Sequence, residues 1–122
     1  MKLKDLLYGL MLRSGNDAAI EISYHIAGNM DNFVNLMNAK ALEIGMNHTH
    51  FINPHGLEND EGDGNTSTAY DMALLMQYAL KNETFKEIIH TKNYKTNTLD
   101  KVYVWQNKNK LLSTYEYQIG GK

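Results

Sequence analysis

The sequence predicts an α+β protein, predominantly helical, with a small antiparallel β part at its C-terminal end. Three observations carry this. Apolar residues recur at helical spacing in successive stretches before residue 81. Glycines and capping side chains punctuate those stretches. After His90 the pattern changes to period two.

Leu3, Leu6, Leu7, Leu10 and Met11 step along one face of a first helix. Arg13-Ser14-Gly15-Asn16-Asp17 interrupts it as a short polar hinge. A second helix is expected from about Asn16 to Ala27, with Ala19, Ile22 and Ile26 inward and Gly28-Asn29 closing it. A third follows, capped by Asn29 or Asp31, with Phe33, Leu36, Met37, Ala41 and Ile44 as its buried stripe and Gly45 as its stop. Met30, Met37 and Met46 read as adaptable core packing.

From Asn47 to Asn65 periodicity disappears, and a loop of that length in a compact domain is usually functional or mobile. Thr66 or Ser67 is expected to cap a fourth helix with Ala69, Met72, Ala73, Met76 and Leu80 on one face, and a short helix covers Glu83 to His90. Tyr94, Thr96 and Thr98, then Val102 and Val104, then Tyr115, Tyr117 and Ile119 alternate as two or three antiparallel strands, with Asn107 to Leu112 between them. The chain reads as one unit, helical over about 1–90 and β over about 91–122.

Composition narrows the function. The chain has 122 residues, a normal size for one domain with its own core. A hydrophobic fraction of 43% and a charged fraction of 21% suit a globular chain rather than a disordered one. No apolar run approaches a membrane span, and the first residues do not form a signal peptide. Cysteine is absent, so disulfides, thiol catalysis and Cys-based zinc sites are excluded. Residues 1–65 hold nine acids and four bases, while 66–122 hold five acids and eight bases. Those later lysines are dispersed through polar segments, which reads as a solvated surface; no nucleic-acid signature accompanies them.

Metal binding is one candidate chemistry. His48, His50 and His55, followed by Glu58, Asp60, Glu61 and Asp63, could ligate zinc if the loop folded back. Asn59-x-Glu61-x-Asp63-Gly64 mimics the first half of an EF-hand loop, but the twelfth position falls on Tyr70, where a bidentate acid is needed. No metal site is assigned.

Nucleophilic catalysis is the other, and it centres on the hinge. Ser14-x-x-Asp17 fits a capping box, in which the serine oxygen accepts a first-turn N–H. The wider run Leu6-Leu7-Tyr8-Gly9-Leu10-Met11-Leu12-Arg13-Ser14-Gly15-Asn16-Asp17-Ala18-Ala19 resembles the S-x-N region of the serine D-alanyl-D-alanine carboxypeptidases, the low-molecular-weight penicillin-binding proteins. Class A β-lactamases carry a related S-D-N triplet. Gly45-Met46-Asn47-His48-Thr49-His50-Phe51-Ile52-Asn53-Pro54-His55-Gly56-Leu57 is similar to the family's G-M-x-x-T-x-F-x-N-x-H-G-L stretch beside the active site. Ser67-Thr68-Ala69-Tyr70-Asp71-Met72-Ala73 resembles its S/T-A-x-D-M/L-A helix start, although Asn65-Thr66 stands where the family often has a histidine-tyrosine pair.

The resemblance implies the helical side of a penicillin-binding/β-lactamase-like serine transpeptidase fold, with the active site between a helical subdomain and a sheet. It implies that Ser14 relays protons and Asn16 holds the substrate amide, with capping a secondary duty of Ser14. It further implies substrate-binding roles for His55, Gly56 and Lys122. The activity implied is removal of the terminal D-alanine from a peptidoglycan stem peptide through an acyl-enzyme, without a cofactor. β-Lactams are the implied inhibitors and the cell envelope the implied location.

The sequence departs from the family in two ways. None of Ser14, Ser23, Ser67 and Ser113 is followed three residues on by lysine, so the Ser-x-x-Lys nucleophile is missing. Gln118-Ile119-Gly120-Gly121-Lys122 ends where the family reads G-x-K-T-G. The chain therefore reads as a middle segment of the catalytic domain, begun artificially at Met1 and inactive by itself. Exposed former interfaces would then favour self-association. Two other readings stay open: a helical structural or interaction module without catalysis, and a His/Asp/Glu metal-binding loop.

Overall fold

The computed structural model describes residues 2–98 and 101–109. Five helices come first: α1 (Leu3–Arg13), α2 (Asn16–Ala27), α3 (Met30–Glu43), α4 (Ala69–Ala79) and α5 (Glu83–His90). Strands β1 (Asn93–Asn97) and β2 (Val102–Gln106) pair antiparallel, with Asn93 opposite Gln106 and Asn97 opposite Val102. The expected α+β class, mainly helical, is observed. The strand expected around Tyr115, Tyr117 and Ile119 lies outside the described residues.

The caps explain the boundaries. Asn29 accepts the Asn32 N–H at 2.7 Å to start α3, and Asn82 accepts the Phe85 N–H at 3.0 Å to start α5. Thr68, not Ser67 or Thr66, caps α4 by accepting the Asp71 N–H at 3.0 Å. The two expected residues are engaged elsewhere. Ser67 hydrogen-bonds Thr49 at 2.8 Å, and Thr66 pairs with His50 in an isolated antiparallel bridge.

Tyr8, Leu12 and Ile88 form the buried centre, with Leu7, Met11, Tyr94 and Trp105 packed against it. The most buried residues of α1 are Asp5, Tyr8, Gly9 and Leu12. That stripe has the helical period but lies two residues on from the expected leucine stripe, on the opposite side of the helix, and the leucines themselves are half-buried. The hairpin decides the difference, because its aromatic side chains cover this face. Tyr94 stacks on Tyr8 with ring centroids 3.8 Å apart and planes 1° from parallel. Trp105 lies over Gly9, where a Cβ would stand 3.3 Å from the indole.

Asp5 belongs to the same arrangement. Its carboxylate accepts the Tyr94 hydroxyl at 2.7 Å and the Lys2 N–H at 3.2 Å. The Tyr94 bond, more than any other contact, holds the Asp5 carboxyl below its ordinary range. The same bond, with burial second, pushes the Tyr94 hydroxyl up to about 12.

Several expected inward faces differ. Ala19 and Ile22 of α2 are buried, whereas Ile26 is 53% exposed. Only Ala41 of the α3 stripe is fully buried. Met72 and Met76 of α4 are exposed, and the buried residue of that helix is Asp71. In β2 the exposed face carries Val102 and Val104, while Tyr103 and Trp105 turn inward. Large aromatic rings bury more area than valine, so they take the covered side. Met46 is buried as expected, with Met30 and Met37 half-buried.

Candidate active site

The hinge is built by a close approach of backbone. The Gly9 carbonyl accepts the N–H groups of both Ser14 and Gly15, the latter at 3.3 Å. A Cβ on Gly15 would stand 3.2 Å from the Gly9 carbonyl oxygen, so a side chain there would press on backbone that has to give by a few tenths of an ångström. To fold back this tightly the chain turns left-handed at Ser14, with φ 55° and ψ 43°. Ser14 is the one non-glycine residue with positive φ among the described residues. That conformation costs a non-glycine residue about 1–2 kcal/mol.

Ser14 thus ends α1 rather than starting α2. The N-cap of α2 is Gly15, and no side chain caps that helix. The expected capping duty of Ser14 is therefore not performed: it stands one position before the N-cap, and no first-turn N–H is given a side-chain acceptor. The Ser14 hydroxyl and the Asn16 carboxamide are half-buried and make no hydrogen bond among the described residues. Strain and an uncommitted polar group at the same residue are a combination that clusters at functional sites. A hydroxyl both donates and accepts, as does a carboxamide, so the pair can pass a proton and hold an amide.

The loop between α3 and α4 is tied down by short side chains. Asp71, only 1% exposed, accepts the Thr49 hydroxyl at 2.7 Å and the His48 N–H at 2.8 Å on one carboxylate oxygen. Those bonds, Thr49 foremost, hold its carboxyl below the ordinary range. Asn38 brackets the backbone of Phe51 with two bonds of 2.8 Å. Asn65 accepts from Ile52 at 2.7 Å and from Asn53 at 3.2 Å, and donates to the Asn53 carbonyl at 3.1 Å. The residue that departs from the family pattern therefore makes a full set of loop contacts of its own. Sequence reasoning missed Asp71 and Asn65 as anchors. The signal was an acid and an amide beside a helix start, with partners twelve and more residues away.

His55 and Gly56 sit in this loop. The His55 Nδ1 accepts the Leu57 N–H at 3.1 Å, which leaves Nε2 as the proton-bearing nitrogen of the neutral ring. Gly56 turns left-handed at φ 90° and its N–H donates to Asn53 Oδ1 at 2.7 Å, so that donor is already engaged. His55 lines a cleft of about 790 Å³ with His50, Asn53, Leu57, Glu58 and Asp63 among its walls. Ser14 and Asn16 do not line it, so the cleft does not unite the two groups of expected site residues. Lys122 lies outside the described residues.

The acidic stretch is a turn. Asn59 Oδ1 accepts the N–H groups of Glu61 and Asp63 at 3.0 and 2.9 Å, which engages the side chain that the calcium reading needs as first ligand. Among the described residues no three His, Cys, Asp or Glu side chains are grouped to hold a metal ion.

Comparison with known proteins supplies the class. The D-alanyl-D-alanine carboxypeptidase family profile matches residues 1–122. The penicillin-binding protein homolog Rv2911 of Mycobacterium tuberculosis superposes with a TM-score of 0.91 at 38% identity, over 100% of this chain and 46% of its own. A mutant DD-transpeptidase of Streptomyces superposes at 0.87 and 32% identity, over 100% of this chain and 50% of its own. The helices and hairpin thus take a fold found in penicillin-binding proteins. D-alanyl-D-alanine carboxypeptidase DacF of Bacillus subtilis is 37% identical over 116 residues, 94% of this chain and 29% of the relative. The chain belongs to the D-alanyl-D-alanine carboxypeptidase family. It spans half or less of the length of these relatives.

Proposed function

We propose that this chain is one segment of the catalytic domain of a serine D-Ala-D-Ala carboxypeptidase and contributes the Ser14-x-Asn16 wall of its active site. The observation that carries the reading is the Ser14 hydroxyl, held uncommitted in a left-handed turn that glycine would adopt at lower cost. Family membership over the whole chain supports it. The nucleophile is a Ser-x-x-Lys serine supplied from outside this sequence, which contains no such motif.

In the proposed reaction that serine attacks the carbonyl of the penultimate D-alanine of a peptidoglycan stem peptide. A serine hydroxyl needs a neighbouring base to attack. Ser14 accepts a proton on the nucleophile side and delivers one to the departing amine, so its own charge does not change. The C–N bond breaks, D-alanine leaves, and water then hydrolyses the ester. Asn16 holds the substrate amide, and His55 and Lys122 contact the peptide and its carboxylate. β-Lactams acylate the same nucleophile. The site of action is the bacterial cell envelope; no described helix of this chain is long and apolar enough to cross a membrane.

A second reading rests on the likeness to a DD-transpeptidase, in which an amine rather than water accepts the acyl group. Product analysis separates the two. A protein joining this segment to a Ser-x-x-Lys segment is incubated with a D-Ala-D-Ala-terminated pentapeptide, with and without a D-amino acid acceptor. Free D-alanine and tetrapeptide are expected; exchange product alone would favour the transfer reading. No release and no penicillin adduct would return the chain to an interaction module.

A further inference from the structure

We propose that Asn107 is the positioning residue of the Ser14–Asn16 turn. It stands just beyond β2, 7% exposed, and its backbone N–H, its side-chain amide and its side-chain oxygen are all hydrogen-bonded. Its Nδ2 donates to the carbonyls of Ile89 at 3.2 Å and Thr91 at 2.9 Å, at the end of α5. Its Oδ1 accepts the Asn109 N–H at 2.9 Å, and its own N–H donates to the Lys92 carbonyl at 2.7 Å. A side chain with two donors and one acceptor in a plane is required; aspartate has the shape without the donors.

The neighbours of Asn107 grip the end of α1. The Lys108 N–H donates to the Leu12 carbonyl at 3.0 Å. The Gln106 carbonyl accepts from the Arg13 guanidinium at 3.3 Å. Trp105 lies on Gly9, whose carbonyl receives the N–H groups of the hinge. A helix end leaves its last carbonyls without intrahelical partners. Here the hinge satisfies Gly9 and Lys108 satisfies Leu12. With the Lys108 bond lost, the right-handed conformation at Ser14 gains on the left-handed one, and the hydroxyl changes direction. Asn107 determines where the Lys108 N–H points, and so acts on Ser14 without touching it.

The assignment rests on the catalytic reading of Ser14 only for its effect on rate; the geometric part stands by itself. The test uses Asn107→Asp in this chain, isotopically labelled. The Ser14 Cα and Cβ shifts and its N–H to Hα coupling report the sign of φ. We expect the left-handed signature to be lost and exchange of the Lys108 amide to quicken at least tenfold. In the protein that also carries the nucleophile, acylation by a fluorescent penicillin should slow at least tenfold, with pre-covalent binding within threefold. An unchanged Ser14 signature overturns the proposal. A shifted Ser14 with unchanged acylation upholds the positioning and overturns the catalytic reading. If Asn107→Asp fails to fold, Lys108→Pro removes the Leu12 bond with the carboxamide intact, and the Ser14 signature in that variant decides.

Discussion

Thr49 donates its hydroxyl proton to Asp71 at 2.7 Å, and through that bond the loop after α3 is fastened to the first turn of α4. The carboxylate is buried, so its acceptor cannot turn to water when the donor is removed. Two of the three stretches that resemble the family motifs meet here, through this bond and the His48–Asp71 and Thr49–Ser67 bonds beside it.

Thr49→Val should therefore destabilise the chain by about 1.5–3 kcal/mol, the usual worth of a hydrogen bond to a charged group, with the His48 N–H left as the remaining donor to that oxygen. Asp71 has a depressed pKa in the folded state, so its stabilising contribution is present above the unfolded value, about 3.9, and fades as pH falls through the folded one. The acid limb of the melting-temperature profile should be shallower in Thr49→Val. Urea unfolding and melts between pH 2 and 6 check both; an unchanged stability would count against the anchor.

Tyr94 works in the opposite sense. Its folded pKa is raised to about 12, so the stability it contributes is complete below the unfolded value of about 10 and is lost as pH rises from there towards 12. Tyr94→Phe keeps the stack on Tyr8 but removes the hydroxyl. The difference in melting temperature between parent and variant should shrink steadily from pH 9 to 12. Asp5 should also return towards its ordinary range, so this part of the variant's deficit should be full at neutral pH and shrink as pH falls below about 3.9. A difference that is constant with pH would disprove the Tyr94–Asp5 link.

Gly15→Ala tests the close approach in the hinge. Its φ of −67° suits alanine, and at an unstrained position the change would stabilise by about 0.4–1 kcal/mol. The new Cβ meets the Gly9 carbonyl oxygen at 3.2 Å instead, and backbone cannot move aside as a flexible side chain can. A loss of about 1–3 kcal/mol is expected from the overpacking. Chemical denaturation reads the sign directly, and a gain would show the contact to be loose.

These contacts also mark what the sequence could and could not disclose. The bounds of α2 and α5 and the Asn29 cap were legible, because period, glycine and capping residues act locally. The hinge was legible as a break between two amphipathic runs. Its left-handed turn was not: Ser14-x-x-Asp17 is also a capping pattern, and only the Gly9–Gly15 approach selects between them. The most buried face of α1 is opposite the expected leucine stripe because Tyr94 and Trp105, some ninety residues away, choose which side is covered. Asp71 looked like an ordinary first-turn acid, and its burial depends on a loop that has no period to read.

The account rests on the hydroxyl of Ser14, and Ser14→Gly measures it most directly. Glycine adopts the left-handed turn freely, which relieves about 1–2 kcal/mol, while its greater unfolded-state freedom costs about 0.5–1 kcal/mol. The protein carrying this segment and its nucleophile should melt at or slightly above the parent temperature. Its acylation by penicillin should nonetheless fall about 10²-fold or more, the usual scale of a lost acid–base group. A Ser14→Gly protein that acylates within threefold of the parent would show that position 14 serves the turn and not the chemistry.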